Sequence, residues 1–284
     1  MTRSLMQDLE RDLATIDIKA PRKSSPSEDS APETRRLTAV EIFQAASENA
    51  RDELRRSNQK LAFSGVAGGL TMGLTGLGVA SMRALLGHEG QHIAPYLLYP
   101  IGFIAVIIGR AQLFTENTLY PVVLVLDERR HVVETLRLWG VVFASNVFGA
   151  LLFALLAAKS PALRPDILSQ LIKLGQEAAL GSASYFFWSG IIGGWMIALV
   201  AWTVTASHWT IGQLTMVYLL TFVVGIGRFA HCIAGSAEIL SAVVTGSIPL
   251  AEYFRWLIPA TLGNICGGVL MVSLLNYGQV KTIS

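Results

Sequence analysis

Long apolar stretches recur along the chain and alternate with short polar ones. The six hydrophobic segments cover residues 61–82, 94–126, 136–158, 181–207, 212–246 and 250–276. A helix needs about 20 apolar residues to cross a bilayer. The second and fifth segments have 33 and 35 residues, which is too long for one span and too short for two. The pattern predicts an all-α membrane protein with six transmembrane helices.

Each of the two overlong segments contains a polar interruption. The first reads G-R-A-Q-L-F-T-E-N over 109–117, and the second reads G-I-G-R-F-A-H-C-I-A-G-S over 225–236. At membrane depth, backbone leaves a helix only where protein or a water-filled cavity satisfies its polar groups. We therefore predict that helices 2 and 5 are broken and that the breaks line a path for a small solute.

An offset of 118 residues relates the two halves of the chain. An N-x-x-G element occurs at Asn146 and again at Asn264, and the same offset carries Arg110 onto Arg228. Each half then holds three spans, so the two halves enter the membrane from opposite sides. Such folds place a solute site between broken helices near the midplane. The sequence thus predicts an inverted 3+3 repeat.

Charge is concentrated near the amino terminus. Residues 1–60 hold 11 of the 22 Lys and Arg and 11 of the 20 Asp and Glu, although the whole chain is 52% hydrophobic. This distribution is that of a membrane domain with a polar tail attached. The predicted organisation is a polar cytoplasmic tail over 1–59, a six-helix channel domain over 60–278 and a cytoplasmic tail over 279–284.

Residues 38–56 predict an amphipathic helix that begins with a capping box between Thr38 and Glu41. Positions on the bilayer surface, against the cytoplasmic face of the protein, or in solvent as a linker all fit this pattern. The tail and the 127–137 loop are rich in arginine, which places both termini in the cytoplasm. The predicted outer loops hold Lys159, Arg164 and Lys173.

The two interruptions resemble the formate/nitrite transporter family. Residues 109–117 are similar to its G-A-E-L-F-T-G-N loop and residues 225–236 to its G-F-E-H-S-x-A-N element, and the resemblance covers roughly 60–278. It implies an aquaporin-like fold, a homopentamer and one pore in each protomer. The implied solutes are small monovalent anions such as formate, nitrite and hydrosulfide, and we expect a bacterial inner (plasma) membrane.

The resemblance also implies roles for particular residues. Residues 113–115 match the loop that narrows the pore, and His231 matches the central histidine. Tyr99 and Phe103 fall near one constriction and Val224 near the other. The predicted solute pathway comprises His231, Arg110, Arg228, Leu113, Phe114, Thr115, Gln112, Tyr99, Phe103 and Val224.

This chain departs from the family pattern at several of these places. Arg110 stands where the family has glycine, and Gly235 where it has asparagine. Gln112 and Ala230 replace glutamates. The family's lysine before the fourth span falls near Glu177. The departures leave the identity of the anion open.

The ionisable groups in the breaks each have two interpretations. His231 either gives a proton to a passing anion, which then crosses as a neutral acid, or is a hydrogen-bonded structural histidine. Arg110 and Arg228 either attract anions to the pore or pair with Glu116 and Glu238.

Four polar residues are expected to be structural. Thr115 and Asn117 are predicted to cap the half-helix that follows the first interruption. Asn146 and Asn264 are predicted to bond the broken backbone rather than the solute.

Other classes of function find little support in the sequence. No basic block stands apart from acidic residues, so nucleic acid is not an expected partner. No catalytic motif is present, and we assign no cofactor. His88 and His92 lie four residues apart in an outer loop, but we assign no metal there. The expected partners are the lipid bilayer and a small anion, with or without a proton; a neutral-solute channel of aquaporin type and an occluded membrane scaffold or sensor are the alternatives.

Overall fold

The computed structural model describes residues 35–87 and 93–281. Within them the chain forms α-helices and no strand. The helices are α1 Ala39–Arg55, α2 Asn58–Leu86, α3 Pro100–Ile108, α4 Tyr120–Glu128, α5 Val132–Lys159, α6 Pro165–Ala178, α7 Ala183–Ala206, α8 Thr210–Gly227, α9 Ala234–Val244, α10 Leu250–Gly268 and α11 Leu275–Lys281. Short 3₁₀ helices cover Ala94–Leu98 and Glu116–Thr118, and a π-helical segment covers Val269–Leu274. The predictions for residues 1–34, for His88 and His92, and for 282–284 fall outside the described residues.

Five of the described helical stretches are long and apolar enough to cross a membrane. They are Asn58–Leu86, Val132–Lys159, Ala183–Ala206, Thr210–Gly227 and Leu250–Lys281. Two shorter apolar helical stretches, Ala94–Ile108 and Ala234–Val244, accompany them. The prediction of an all-α membrane protein is confirmed for the part of the chain that the structure describes.

The second and fifth hydrophobic segments are each divided between two helices. The α-helix that ends at Ile108 is followed by the next at Tyr120, and the helix that ends at Gly227 by the next at Ala234. We call residues 109–119 the first break and residues 228–233 the second break.

Glycines allow α2 to pack along α5, and α7 along α10, with backbones in contact. A Cβ atom on Gly69 would lie 2.0 Å from the carbonyl oxygen of Asn146, and one on Gly194 would lie 2.2 Å from that of Asn264. Any larger residue would therefore separate the helices. This close packing places the two asparagine side chains beside the breaks.

Helix α1 packs against the helical bundle instead of standing free as a linker. Thr38 caps it through the predicted capping box. Phe43 and Ala46 are buried against residues of α4, α7 and α11. Arg51 forms an ion pair with Glu128 at the end of α4, at 2.7 Å. The helix thereby lies at the end of the bundle where α4 ends.

Helix α6 lies in a stretch that we expected to be an outer loop. With 14 residues and a polar face it is too short to span a membrane. Pro165 occupies its first turn, as favoured at helix starts. Leu171 and Leu174 are buried, and the helix packs against α9 and α2. It brings its carboxyl-terminal turn, with Glu177, to the second break.

A π-helical segment joins α10 to α11. Ser273 Oγ donates hydrogen bonds to the carbonyls of Thr118 and Gly268, at 3.1 and 3.2 Å. Beyond it, the Tyr277 ring lies 6.1 Å from that of Phe43 on α1. The segment thus connects the first break to the helix that contacts α1.

Candidate functional site

Each break has an arginine in the left-handed backbone region at or next to its first residue. Arg110 follows α3 with φ +59°, and Arg228 follows α8 with φ +51°. At the carboxyl end of α3 and of α8, the backbone N–H of the arginine and that of the next residue donate hydrogen bonds to carbonyls of the last helical turn, at 3.0–3.2 Å. This is the Schellman motif, which usually carries glycine at that position. An L-residue there costs roughly 1–2 kcal/mol, so both arginines are held against the backbone preference.

A buried asparagine fastens the first break to the neighbouring helices. Asn146 Oδ1 accepts a hydrogen bond from the Phe114 N–H at 2.8 Å. Its Nδ2 donates to the carbonyls of Gln112 and Gly65 at 2.9 and 2.7 Å. Ser64 Oγ accepts from the Gln112 N–H at 3.1 Å. Backbone groups that the break frees from helical bonding are satisfied in this way.

The second break is fastened by the corresponding bonds. Asn264 Oδ1 accepts from the Cys232 N–H at 2.9 Å, and its Nδ2 donates to the carbonyls of Ala230 and Gly190, both at 2.8 Å. Ser189 Oγ accepts from the Ala230 N–H at 2.9 Å. The two breaks therefore use the same residue types in the same roles.

One hydrogen bond joins the two breaks. His231 Nε2 lies 2.8 Å from Thr115 Oγ1. Nδ1 accepts from the Ala234 N–H at 3.0 Å, so Nε2 carries the ring proton and donates it to the threonine. The Phe103 ring meets the imidazole edge-on, with centroids 5.0 Å apart. His231 is 2% exposed and Thr115 is fully buried. The junction is a neutral polar pair among apolar side chains.

The prediction that Thr115 and Asn117 cap a half-helix is wrong. Neither the 3₁₀ helix after Thr115 nor α4 has a side-chain cap, because the threonine hydroxyl bonds His231 instead. Asn117 Nδ2 donates to Gln112 Oε1 at 2.8 Å and to the Leu113 carbonyl at 3.2 Å. It therefore closes the loop on itself.

A cavity of about 320 Å³ reaches the second break. We call it the distal cavity. His231, Arg228, Glu177 and Glu238 supply its ionisable lining, and Tyr99 is among its aromatic walls. The volume is at the small end of the range for ligand pockets. It has ample space for a small hydrated anion.

Arg228 is partly neutralised by a partner that the sequence did not indicate. Its guanidinium lies 3.0 Å from Glu177 Oε2. The same carboxylate pairs with Arg83 at 3.1 Å, and Arg83 also donates to the Tyr96 hydroxyl at 2.9 Å. Arg228 thus lines the distal cavity and also forms an ion pair. Its partner is Glu177 and not Glu238.

A smaller cavity, of about 90 Å³, reaches the first break. We call it the α1 cavity, because Asn49 and Glu53 of α1 form part of its wall beside Arg110, Gln112, Leu113 and Glu116. Glu53 is paired with Arg56 at 2.9 Å. Within residues 35–87 and 93–281, no carboxylate lies within ion-pair distance of Arg110. That guanidinium is exposed and remains available to a solute.

Three further residues of the predicted pathway, Leu113, Phe114 and Val224, have different surroundings. Leu113 lines the α1 cavity. Phe114 packs edge-on against Phe143 and Trp139 of α5, with ring centroids 5.0 and 5.9 Å away. Val224 is fully buried and lines neither cavity. Leucine and phenylalanine of the L-F-T loop therefore face different neighbours.

Sequence reasoning missed the groups that come from outside the breaks. Glu177 and Arg83 shape the charge of the distal cavity, and Ser64 and Ser189 hold the break backbones. The apolar spacing of Leu171 and Leu174 in an otherwise polar stretch could have revealed α6. The two serines precede close-packed glycines, but nothing in their sequence context points to the breaks.

Comparison with known proteins agrees with the resemblance seen in the sequence. The chain is 31% identical over 247 residues to the inner membrane protein YfdC of Escherichia coli K12, covering 86% of this chain and 79% of that protein. It is 29% identical over 198 residues to a probable formate transporter of Methanothermobacter thermautotrophicus, covering 63% and 72%.

Solved structures support the fold. An FNT family ion channel superposes with a TM-score of 0.76 at 17% identity, over 84% of this chain and 98% of that one. A pentameric formate channel with formate bound gives a TM-score of 0.65 at 18% identity, over 79% and 98%. The model of the Formate/nitrite transporter family matches residues 40–278. The protein therefore belongs to the formate/nitrite transporter family.

Proposed function

We propose that the protein carries a small monovalent anion, of the formate, nitrite and hydrosulfide class, through a pore in each protomer. The pore runs from the distal cavity through the junction of His231 and Thr115 to the α1 cavity. The observation that carries the proposal is this junction: two cavities, each containing an arginine, end at breaks joined by one polar pair.

The charges and the junction suggest how an anion passes. Arg110 and Arg228 raise the local concentration of anions in the cavities. Transfer of a bare anion from water into the apolar junction costs several kcal/mol of solvation free energy, whereas its neutral acid avoids most of that cost. His231 and Thr115 provide a hydrogen bond at the narrowest part, which replaces one that the solute leaves in water. The transported species at the junction is therefore the neutral acid.

The arrangement in the membrane extends this proposal. We infer an inverted 3+3 repeat whose halves meet at the two breaks, since Asn146 and Asn264 bond them alike. The α1 cavity faces the cytoplasm along with both termini, in agreement with the arginines near α1 and the 127–137 loop. The kinship with YfdC favours the bacterial inner membrane, and that with the pentameric formate channel favours a homopentamer.

Uptake by proteoliposomes tests the proposal. Purified protein is reconstituted, and stopped-flow entry of formate, nitrite and hydrosulfide is compared with that into empty liposomes. We expect at least one anion to enter faster, and His231→Ala to slow it by about tenfold or more, equivalent to about 1.4 kcal/mol in barrier. Arg110→Ala is expected to raise the half-saturating concentration. His208→Ala is the matched control, because His208 is exposed between α7 and α8.

Two results would contradict the proposal. If no anion enters faster than into empty liposomes while water or glycerol does, the pore is of the neutral-solute type. If nothing crosses, the protein is an occluded scaffold or sensor.

A further inference from the structure

Each cavity contains one glutamate that has no bonded partner. Glu238 lines the distal cavity and Glu116 lines the α1 cavity. Both are half-buried. In the part of the chain that the structure describes, no hydrogen bond or ion pair engages either carboxylate, whereas Glu177 and Glu53 both pair with arginine. An ionisable group kept unpaired at membrane depth costs free energy, which points to a functional role.

Glu238 lies in the second turn of α9, shortly after the central histidine. His231 is three residues before Ala234, the first residue of α9, and Gly235 and Glu238 follow His231 by four and seven residues. His231, Gly235 and Glu238 all line the distal cavity. Seven residues correspond to about 10 Å along a helix. Gly235 lacks a side chain, and the Trp256 ring of the cavity wall occupies the space that a side chain would fill.

Glu116 has the corresponding place on the other side of the junction. It follows Thr115 directly, and Thr115 is bonded to His231. Its carboxylate lines the α1 cavity, while the threonine hydroxyl is buried at the junction. Four proton-bearing groups therefore succeed one another across the pore, in the order Glu238, His231, Thr115 and Glu116.

Each of these glutamates lies near an arginine that would hold an arriving anion. The charged and titratable groups around Glu238 are Arg228 of the second break, Arg83 of α2, Glu177 of α6 and Tyr99 before α3. Those around Glu116 are Arg110 of the first break, Glu53 of α1 and Tyr120 of α4. In both cavities an anion drawn to the guanidinium enters a space that is also lined by a carboxyl group. A proton transfer requires the two groups to come within hydrogen-bond distance in that space.

We propose that Glu238 and Glu116 are the proton-exchange groups of the pore, one for each cavity; this inference rests on the proposed function. The protonated Glu238 carboxyl gives its proton to a formate anion, which becomes formic acid and leaves Glu238 as a carboxylate. Water outside restores the Glu238 proton. After crossing, formic acid returns the proton to the Glu116 carboxylate, which releases it to water on the α1 side. Transport in the other direction reverses each step.

The chemistry suits carboxyl groups better than the central histidine. His231 has one ring proton, already donated to Thr115, and its other nitrogen accepts the Ala234 N–H. Adding a second proton to the ring would break that backbone bond. A carboxylic acid exchanging its proton with a carboxylate substrate forms a pair of similar acid strength, so the transfer has a small free-energy change.

The test measures proton and formate entry together in proteoliposomes, with an internal pH dye and radiolabelled formate. The variants are Glu238→Gln and Glu116→Gln, which keep size and remove the proton-exchanging group, with Glu238→Asp as the conservative replacement. Glu252→Gln is the matched control, since Glu252 lies outside both cavities at the start of α10, is partly exposed and is paired with Arg255. Glu177→Gln removes a negative charge from the same cavity without removing Glu238.

We expect wild type and Glu252→Gln to carry one proton with each formate, at a rate that rises as the outside becomes more acidic. Glu238→Gln should lower that flux about tenfold or more and flatten its pH profile, and Glu238→Asp should restore most of it. Glu177→Gln should change the half-saturating formate concentration and leave the proton-to-formate ratio unchanged.

The possible failures are distinguishable. If both Gln variants carry formate at the wild-type rate and with the wild-type pH profile, this inference is overturned and the proposed function is not. Loss of flux in Glu238→Asp as severe as in Glu238→Gln would assign the residue a packing role and also overturn it. If none of formate, nitrite and hydrosulfide enters with wild type, the proposed function is overturned, and this inference with it.

Discussion

Two single residues, Arg110 and Arg228, combine a strained backbone with a positive charge that lines a cavity. Glycine is the residue that this backbone geometry favours. Because arginine occupies the position in both breaks, each guanidinium is held at a conformational cost of roughly 1–2 kcal/mol. The two arginines do not have equal environments, since Glu177 pairs with Arg228 and no described carboxylate pairs with Arg110. Anion attraction should therefore be stronger in the α1 cavity.

Comparing two replacements of Arg110 isolates the backbone contribution. Arg110→Gly and Arg110→Ala both remove the guanidinium, but only glycine is free of strain at φ +59°. We expect the glycine variant to be more stable by about 1 kcal/mol, measured by chemical unfolding in detergent. The same pair of changes at Arg137, inside α5, should give the opposite order because glycine weakens a helix interior. Equal stability of the two Arg110 variants would contradict the strain argument.

At the scale of elements, α1 is attached to the bundle by an apolar face and by charged groups, among them a cluster around Glu128. Glu128, at the end of α4, accepts hydrogen bonds from Arg51, Arg130 and His131. The Arg51 bond is the largest contribution, followed by Arg130, and together they lower the pKa of Glu128 to about 2. The folded pKa is thus below the ordinary value of 4.5. The carboxylate stabilises the attachment of α1 above about pH 4.5, and this stabilisation is lost as the pH falls toward 2.

Hydrogen exchange of the α1 amides checks this pH dependence. Corrected for intrinsic rates, protection of α1 should decrease in wild type as the pH is lowered from 5 to 2. Glu128→Gln should show weaker protection at pH 5 and less change over that interval. Glu134→Gln is the control, because Glu134 is half exposed at the start of α5. Identical profiles for wild type and Glu128→Gln would refute the role of this pair.

The sequence predicted some elements well because their signals are local. Polar residues in an overlong apolar segment indicated where α3 and α8 end. The repeated N-x-x-G element indicated Asn146 and Asn264 as residues that bond backbone. The pairings across the fold were not predictable in this way, because neither the Thr115–His231 bond nor the Arg228–Glu177 pair has a fixed spacing along the chain. Helix α6 was missed because it has neither the length nor the hydrophobicity of a span.

At the scale of the whole molecule, many large apolar side chains remain exposed on a single chain. Examples are Phe63, Trp188 and Ile211 at 72, 64 and 71% exposure. Such a surface needs lipid or other subunits to cover it. The proposed homopentamer would place part of this surface between protomers and leave the rest to lipid.

A measurement of mass decides the assembly state. The protein extracted in mild detergent should have five times the 30.7 kDa mass of the chain, by native mass spectrometry or by light scattering corrected for detergent. If each protomer has its own pore, as proposed, mixing wild-type protomers with slow His231→Ala protomers should lower transport in proportion to the share of the variant. A monomeric mass with full activity would contradict the pentamer.

The π-helical segment Val269–Leu274 also changes the direction in which the side chains after it point around the helix axis. It contains one residue more than an α-helical turn of the same rise, and one residue corresponds to a rotation of about 100°. The side chains after it are therefore rotated onto their partners: Tyr277 onto Phe43, and Lys281 onto Asp127 at 2.8 Å. A one-residue deletion here would leave a regular helix that is fully able to span the membrane but points Tyr277 away from Phe43 and Lys281 away from Asp127. The extra residue thus couples the last span to the amino-terminal helix.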